Sequence, residues 1–209
     1  MSTAPADRSH QTVPATPPRP PVPLLNIANI LTVSRLVLVP VFLVALFTEG
    51  GHSFGWRLGA TIVFAIASVT DQLDGWLARR HGLVTDFGKI ADPIADKALT
   101  GAALVTLSYL GWLPWWVTAV ILAREVAVTA LRFWVIRYGV IAASRGGKLK
   151  TLLQVLAISL YMLPEVPQWL RAVVMAVAVV VTVVTGADYA IRAARLRRRQ
   201  VPGPVRHAP

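Results

Sequence analysis

WLRAVVMAVAVVVTVVTGA, residues 169–187, carries a single charge, Arg171, across its whole length. The hydrocarbon core of a bilayer takes about 20 consecutive apolar residues as one helical span, and this stretch has that length and polarity. Working outward, comparable apolar stretches cover residues 24–47, a segment from about Trp56 toward Asp74, another from near Lys89 to Leu110, then 115–136 and 151–163. The first is apolar except for Asn26, Asn29, Thr32, Ser34 and Arg35, which cluster at its start, so a surface-lying turn is expected to lead into it. Gly50 and Gly51 end it. The fifth is short and draws Lys148 and Lys150 into its first turn. The expected fold is therefore all-α, an integral membrane bundle of six transmembrane helices with an N-terminal juxtamembrane segment.

Composition agrees. The chain has 209 residues, 55% hydrophobic and 15% charged, with a mean hydropathy of +0.59, too apolar for a soluble domain of this length. It has no cysteine, which excludes a disulfide framework, a thiol nucleophile and thiolate-bound zinc. The net charge of +11 raises the question of nucleic acid. The cations, however, fall in short turns and a tail beside apolar spans, where anionic lipid headgroups and phosphorylated substrates account for them better, so a membrane partner and no nucleic acid are expected.

Residues 1–23, rich in Pro, Ala and Thr, read as a disordered cytoplasmic tail, 24–194 as one membrane domain and 195–209 as a basic cytoplasmic tail. Arg79, Arg80, Lys89, Arg137, Arg145, Lys148, Lys150 and the arginines from Arg192 to Arg199 all fall on one side of such a bundle, with little beyond Arg57 and Arg171 opposite. That side is the cytoplasm by the positive-inside rule, and both termini and the functional site are expected there, in a multi-pass protein of the cell membrane. Trp56, Trp112, Trp115, Trp116 and Trp169 then form a belt at the opposite interface.

Five of the ten acidic residues, Asp71, Asp74, Asp86, Asp92 and Asp96, crowd into one segment at the ends of two apolar spans. Ionisable groups at such depth are costly and mark a functional site by default. On a helix Asp71 and Asp74 are i and i+3, and Asp92 and Asp96 are i and i+4, so each pair presents two carboxylates on one face. If the two helices are antiparallel neighbours the pairs converge. Four such carboxylates repel one another unless a hard divalent cation with oxygen ligands lies between them, and Mg2+ or Mn2+ suits a site that also receives phosphate. Gly75, Ala78 and Gly88 allow close approach, and Arg79 can reach a phosphate. Asp86 reads as a solvated or capping turn residue, and the four histidines are too scattered for a triad or metal cage.

The run DQLDGWLAR at 71–79 followed by GKIADPIAD at 88–96 resembles the signature of the CDP-alcohol phosphatidyltransferase family at every defining position. NIANILTVSR at 26–35, Lys97, Ala123-Arg124-Glu125 and GKLKT at 147–151 extend the likeness, which is greatest to its phosphatidylglycerophosphate synthase branch and covers most of 24–188. Gln72 and Ala91 depart from the large apolar residues of that branch. The resemblance implies six transmembrane helices, a homodimer, a cytoplasm-facing cavity and two metal ions on the CDP diphosphate. Carried over by position, Asp71, Asp74 and Asp92 would be metal ligands, Asp96 a further ligand and the general base, and Asp71, Gly75, Ala78, Arg79, Gly88 and Thr32 the CDP and diphosphate site. The reaction implied is transfer of phosphatidyl from CDP-diacylglycerol to sn-glycerol 3-phosphate, giving phosphatidylglycerophosphate and CMP.

An acceptor with its own phosphate needs a second cationic site, for which Arg124, Arg132, Lys148 and Lys150 are the candidates. Arg124 and Arg132 read equally well as snorkelling side chains or as partners of Glu125, and the lysines as membrane anchors. Inositol phosphate or phosphatidylglycerol are alternative acceptors for the same chemistry. A small transporter with carboxylates on its pathway is the alternative of another class, disfavoured because the acids lie near one face and no inverted repeat is evident.

Overall fold

The computed structural model describes residues 27–81, 86–135 and 145–200, and among them every regular element is helical. Six α-helices follow in order: α1 Ile27–Phe47, α2 Phe54–His81, α3 Asp86–Tyr109, α4 Trp115–Val135, α5 Arg145–Met162 and α6 Gln168–Gln200. A 3-10 turn, Thr48–Gly51, joins the first two. Helix α1 packs against both α2 and α3, α5 against α2, α3 and α6, and α4 against α3 and α6.

Three of the sequence expectations change. The polar start of the first apolar stretch is not a separate surface-lying turn from Ile27 onward but part of α1, which is continuous to Phe47. No glycine or proline interrupts it before Pro40, and the Ser34 hydroxyl folds back onto the Leu31 carbonyl at 2.8 Å instead of competing for an exit from the helix. The third helix starts at Asp86, earlier than Lys89, which puts Asp86 at the helix N-terminus where a carboxylate is favourable. At the other end of the chain α6 runs unbroken through Ala194 to Gln200. Residues 1–26 and 201–209, which hold most of the two expected tails, lie outside the described residues.

Along the described helices much of the exposed surface is apolar, while several polar groups are buried. On α6, Val173, Val177, Val180 and Val184 are exposed at helical spacing, as are Leu58, Ile62, Ile66 and Val69 on α2. The buried set meanwhile includes Arg35, Thr32, Lys150, Gln154 and Thr182. Water would penalise that arrangement, whereas hydrocarbon favours it. Ile30–Gly51 and Gln168–Arg197 are each long and apolar enough to cross a bilayer. Helix α4 is as apolar around its surface but carries Arg124, Glu125 and Arg132. Between the helices the contacts rest on small residues: Ala60, Ala103, Ala157 and Ala178 are fully buried. Such residues let helix backbones approach where no hydrophobic effect drives them together. Phe42 and Phe64, 5.8 Å apart, fill the centre, and Thr118 of α4 bonds the Leu104 carbonyl at 3.1 Å and Ser108 at 2.7 Å on α3.

One end of the bundle is aromatic. Phe47 lies 5.9 Å from Tyr109, the Arg57 guanidinium 4.2 Å from the Trp112 ring, and Arg57 Nε donates to the Met162 carbonyl at 2.9 Å. The end of α1, the start of α2, the end of α3 and the end of α5 therefore meet there, with Trp115 and Trp169 opening the next helices. This fixes α2 and α3 as antiparallel, with the acid-bearing end of α2 and the acid-bearing start of α3 at the opposite pole.

Candidate functional site

Helix register puts the candidate residues into one layer. At about 1.5 Å per residue, Thr32 lies roughly 22 Å from Phe47, Asp71 about 21 Å from Arg57 and Asp96 about 20 Å from Tyr109. By the same rise Lys150 is about 18 Å from Met162 and Glu125 about 15 Å from Trp115. Five helices thus bring polar groups to a common depth, some 15–22 Å from the aromatic end.

Within that layer α3, α4 and α5 line a small, partly open pocket. Asp96, Lys97, Thr100, Glu125, Lys150 and Thr151 supply its polar wall. Glu125 is the electrostatic centre: its carboxylate accepts from Lys150 Nζ at 2.6 Å and Arg124 at 3.0 Å, with Lys97 Nζ at 3.7 Å. Three cations thus face one carboxylate. Arg124 also donates from Nε to the Thr182 carbonyl at 3.1 Å and from Nη2 to the Thr185 hydroxyl at 3.0 Å. Gln154 reaches the Thr182 hydroxyl at 3.1 Å, so α4 and α5 are both tied to α6 beside the pocket.

The predicted acceptor cations do not gather as one group. Arg124 and Lys150 meet on Glu125, whereas Arg132 and Lys148 are exposed and make no described contact with it. The helical period explains the split, because residues two apart, such as Lys148 and Lys150, point to nearly opposite sides of a helix. Thr32 is buried on α1, and Arg35, one turn on, is buried with it. Asp71, Asp74, Gly75, Ala78 and Arg79 lie in α2, and Gly88 and Asp92 in α3, but their side chains lie outside the described residues. Among the four aspartates the pocket contact is therefore described for Asp96 alone.

Sequence reasoning missed Glu125 and Lys97 as parts of this site. The signal was present, since Glu125 is the lone acidic residue between Asp96 and Glu165 and sits in the middle of an apolar helix, the same rule that singled out the aspartates.

A family model described as CDP-alcohol phosphatidyltransferase matches residues 25–184. A probable phosphatidylglycerophosphate synthase of Mycobacterium tuberculosis is 58% identical over 174 residues, 82% of this chain and 83% of the relative. Proteins named CDP-diacylglycerol--glycerol-3-phosphate 3-phosphatidyltransferase are 38% identical in Bacillus subtilis, over 79% of this chain and 94% of the relative, and 35% identical in Rickettsia felis, over 78% and 93%.

Proposed function

The chain belongs to the CDP-alcohol phosphatidyltransferase family, and on that premise we propose that it moves the phosphatidyl group of CDP-diacylglycerol onto sn-glycerol 3-phosphate in phospholipid biosynthesis. The observation that carries the acceptor is the pocket beside Asp96, where Lys97 and Lys150 face Glu125 between α3, α4 and α5. Two ammonium groups next to a carboxylate suit a small molecule that offers a phosphate at one end and a hydroxyl at the other. Relatives whose names specify glycerol 3-phosphate favour it over inositol phosphate or phosphatidylglycerol.

The donor set fits a hard divalent cation: carboxylates only, no thiol, at the ends of antiparallel helices that share one pole. Asp71, Asp74, Asp92 and Asp96 would hold two ions, Mg2+ or Mn2+, which when bound offset charge on the diphosphate and on the departing CMP. Gly75, Ala78 and Gly88 leave room for the nucleotide, with Arg79 on a phosphate and Thr32 on the facing helix. Lys97 and Lys150 hold the acceptor's phosphate. Asp96 takes the proton of the acceptor hydroxyl as its oxygen bonds to the lipid-side phosphorus; the bond from that phosphorus to the CMP oxygen breaks, and CMP leaves as an anion. In this reading all six helices span the membrane, the acidic pole and both termini face the cytoplasm, Trp56, Trp112, Trp115, Trp116 and Trp169 mark the far interface, and the enzyme works as a homodimer, as the family resemblance implies.

Replacing the base tests this. Asp96→Asn lowers kcat by about 10²–10⁴-fold, the usual share of general-base catalysis, while binding of CDP-diacylglycerol changes little. Binding lost in step with turnover would rule out the catalytic role.

A further inference from the structure

Arg124 reaches the pocket only through Glu125. Its three described hydrogen bonds go to Glu125, the Thr182 carbonyl and the Thr185 hydroxyl, and it is not among the pocket's lining residues. Its stem lies directly on α6: a Cβ added to Gly186 would stand 3.0 Å from Arg124 Cγ and 3.1 Å from Nε. Only a residue without a side chain fits there unless the arginine moves. Glu125 lines the pocket, and so do both lysines that reach it.

We propose that Glu125 is a positioning residue for the acceptor, holding the Lys97 and Lys150 ammonium groups over the pocket, and that Arg124, braced on α6 at Gly186, holds Glu125 without touching the acceptor. The charges support this. Lys97 and Lys150 balance Asp96 and Glu125 on the pocket wall, and Arg124 behind Glu125 tips the cluster to one net positive charge, which favours an anionic acceptor over a neutral alcohol. Without the Glu125 carboxylate three cations repel one another across a few ångströms of poorly screened space, and flexible lysine side chains disperse. Lys150 spends one of its three N–H donors on Glu125 and keeps two for an incoming phosphate.

The inference rests on the reading that the acceptor carries a phosphate, and the experiment separates the two. Steady-state kinetics of the full-length enzyme, varying sn-glycerol 3-phosphate and CDP-diacylglycerol in turn, is paired with calorimetric binding of glycerol 3-phosphate. Glu125→Gln raises the KM for glycerol 3-phosphate about tenfold or more and weakens its binding equally, while the KM for CDP-diacylglycerol stays within about twofold. In a Lys150→Met background the effect of Glu125→Gln shrinks to the part carried by Lys97, because the rest acts through Lys150. Thr185→Val and Gly186→Ala, which loosen Arg124 from α6, reproduce the selective rise on a smaller scale and serve if Glu125→Gln does not fold. An equal rise in both KM values, a loss confined to kcat, or full additivity with Lys150→Met would overturn the positioning role. A wild-type enzyme that releases no CMP in response to glycerol 3-phosphate would instead defeat the acceptor reading itself.

Discussion

Arg57 and Arg124 are both arginines placed within apolar helices, and their partners give them different roles. Arg57 caps the C-terminal end of α5: besides the Met162 carbonyl it donates to those of Tyr161 and Leu163 at 3.4 and 3.3 Å, and its guanidinium covers Trp112. Carbonyls at a helix end have no partner within the helix, and a cation there satisfies them and the helix dipole together. Gly51, at φ 78°, backs the same ring, since a Cβ there would lie 3.0 Å from Trp112. Arg57→Ala therefore lowers unfolding stability by about 2 kcal/mol, seen as a reduced thermal midpoint in detergent. The KM values of the folded fraction stay unchanged, because the reacting pole is some 20 Å away. Arg124→Ala shows the reverse pattern, with the KM for glycerol 3-phosphate rising more than that for CDP-diacylglycerol. The sequence marks Arg124 as a candidate for the acceptor site. Arg57 was legible only as a rare charge on the far side, because its partners are 104–106 residues away in the chain.

Among the elements, the runs 36–47 of α1 and 172–187 of α6 were readable from the sequence because nearly every position in them is apolar, a signal that survives without knowing which face is buried. Helices α3, α4 and α5 were harder, since each mixes a lipid-compatible surface with charges that become acceptable only when they meet. Lys97, Glu125 and Lys150 come from these three helices, and no local pattern shows that they converge. The exposed valine stripe of α6 yields a direct check on its environment. Val180→Asp sets a carboxylate in the middle of that face and destabilises the inserted protein by about 2–3 kcal/mol, measured as the yield of folded protein extracted from membranes. A wild-type yield would mean that the stripe faces water. The aspartates stood out for another reason, their spacing of two per helix on one face, a pattern read without tertiary contacts; the side chains of Asp71, Asp74 and Asp92 lie outside the described residues.

At the scale of the whole molecule, the polar layer lies toward one pole and Trp56, Trp112, Trp115, Trp116 and Trp169 toward the other, so orientation and function stand or fall together. The absence of cysteine makes orientation measurable with single introduced thiols. In sealed cells a membrane-impermeant maleimide labels Glu49→Cys and Glu165→Cys at the aromatic end, but Lys148→Cys and Arg195→Cys only after permeabilisation; the opposite pattern would invert the proposed topology. The most direct test of the reaction is CMP release from CDP-diacylglycerol by the purified protein, followed with and without sn-glycerol 3-phosphate, Mg2+ or Mn2+, and a chelator. The account predicts one CMP per phosphatidylglycerophosphate formed, dependent on both acceptor and metal, restored after chelation by adding metal back, and abolished in Asp71→Asn and Asp92→Asn. CMP release that persists in the chelated enzyme or in those variants would contradict it.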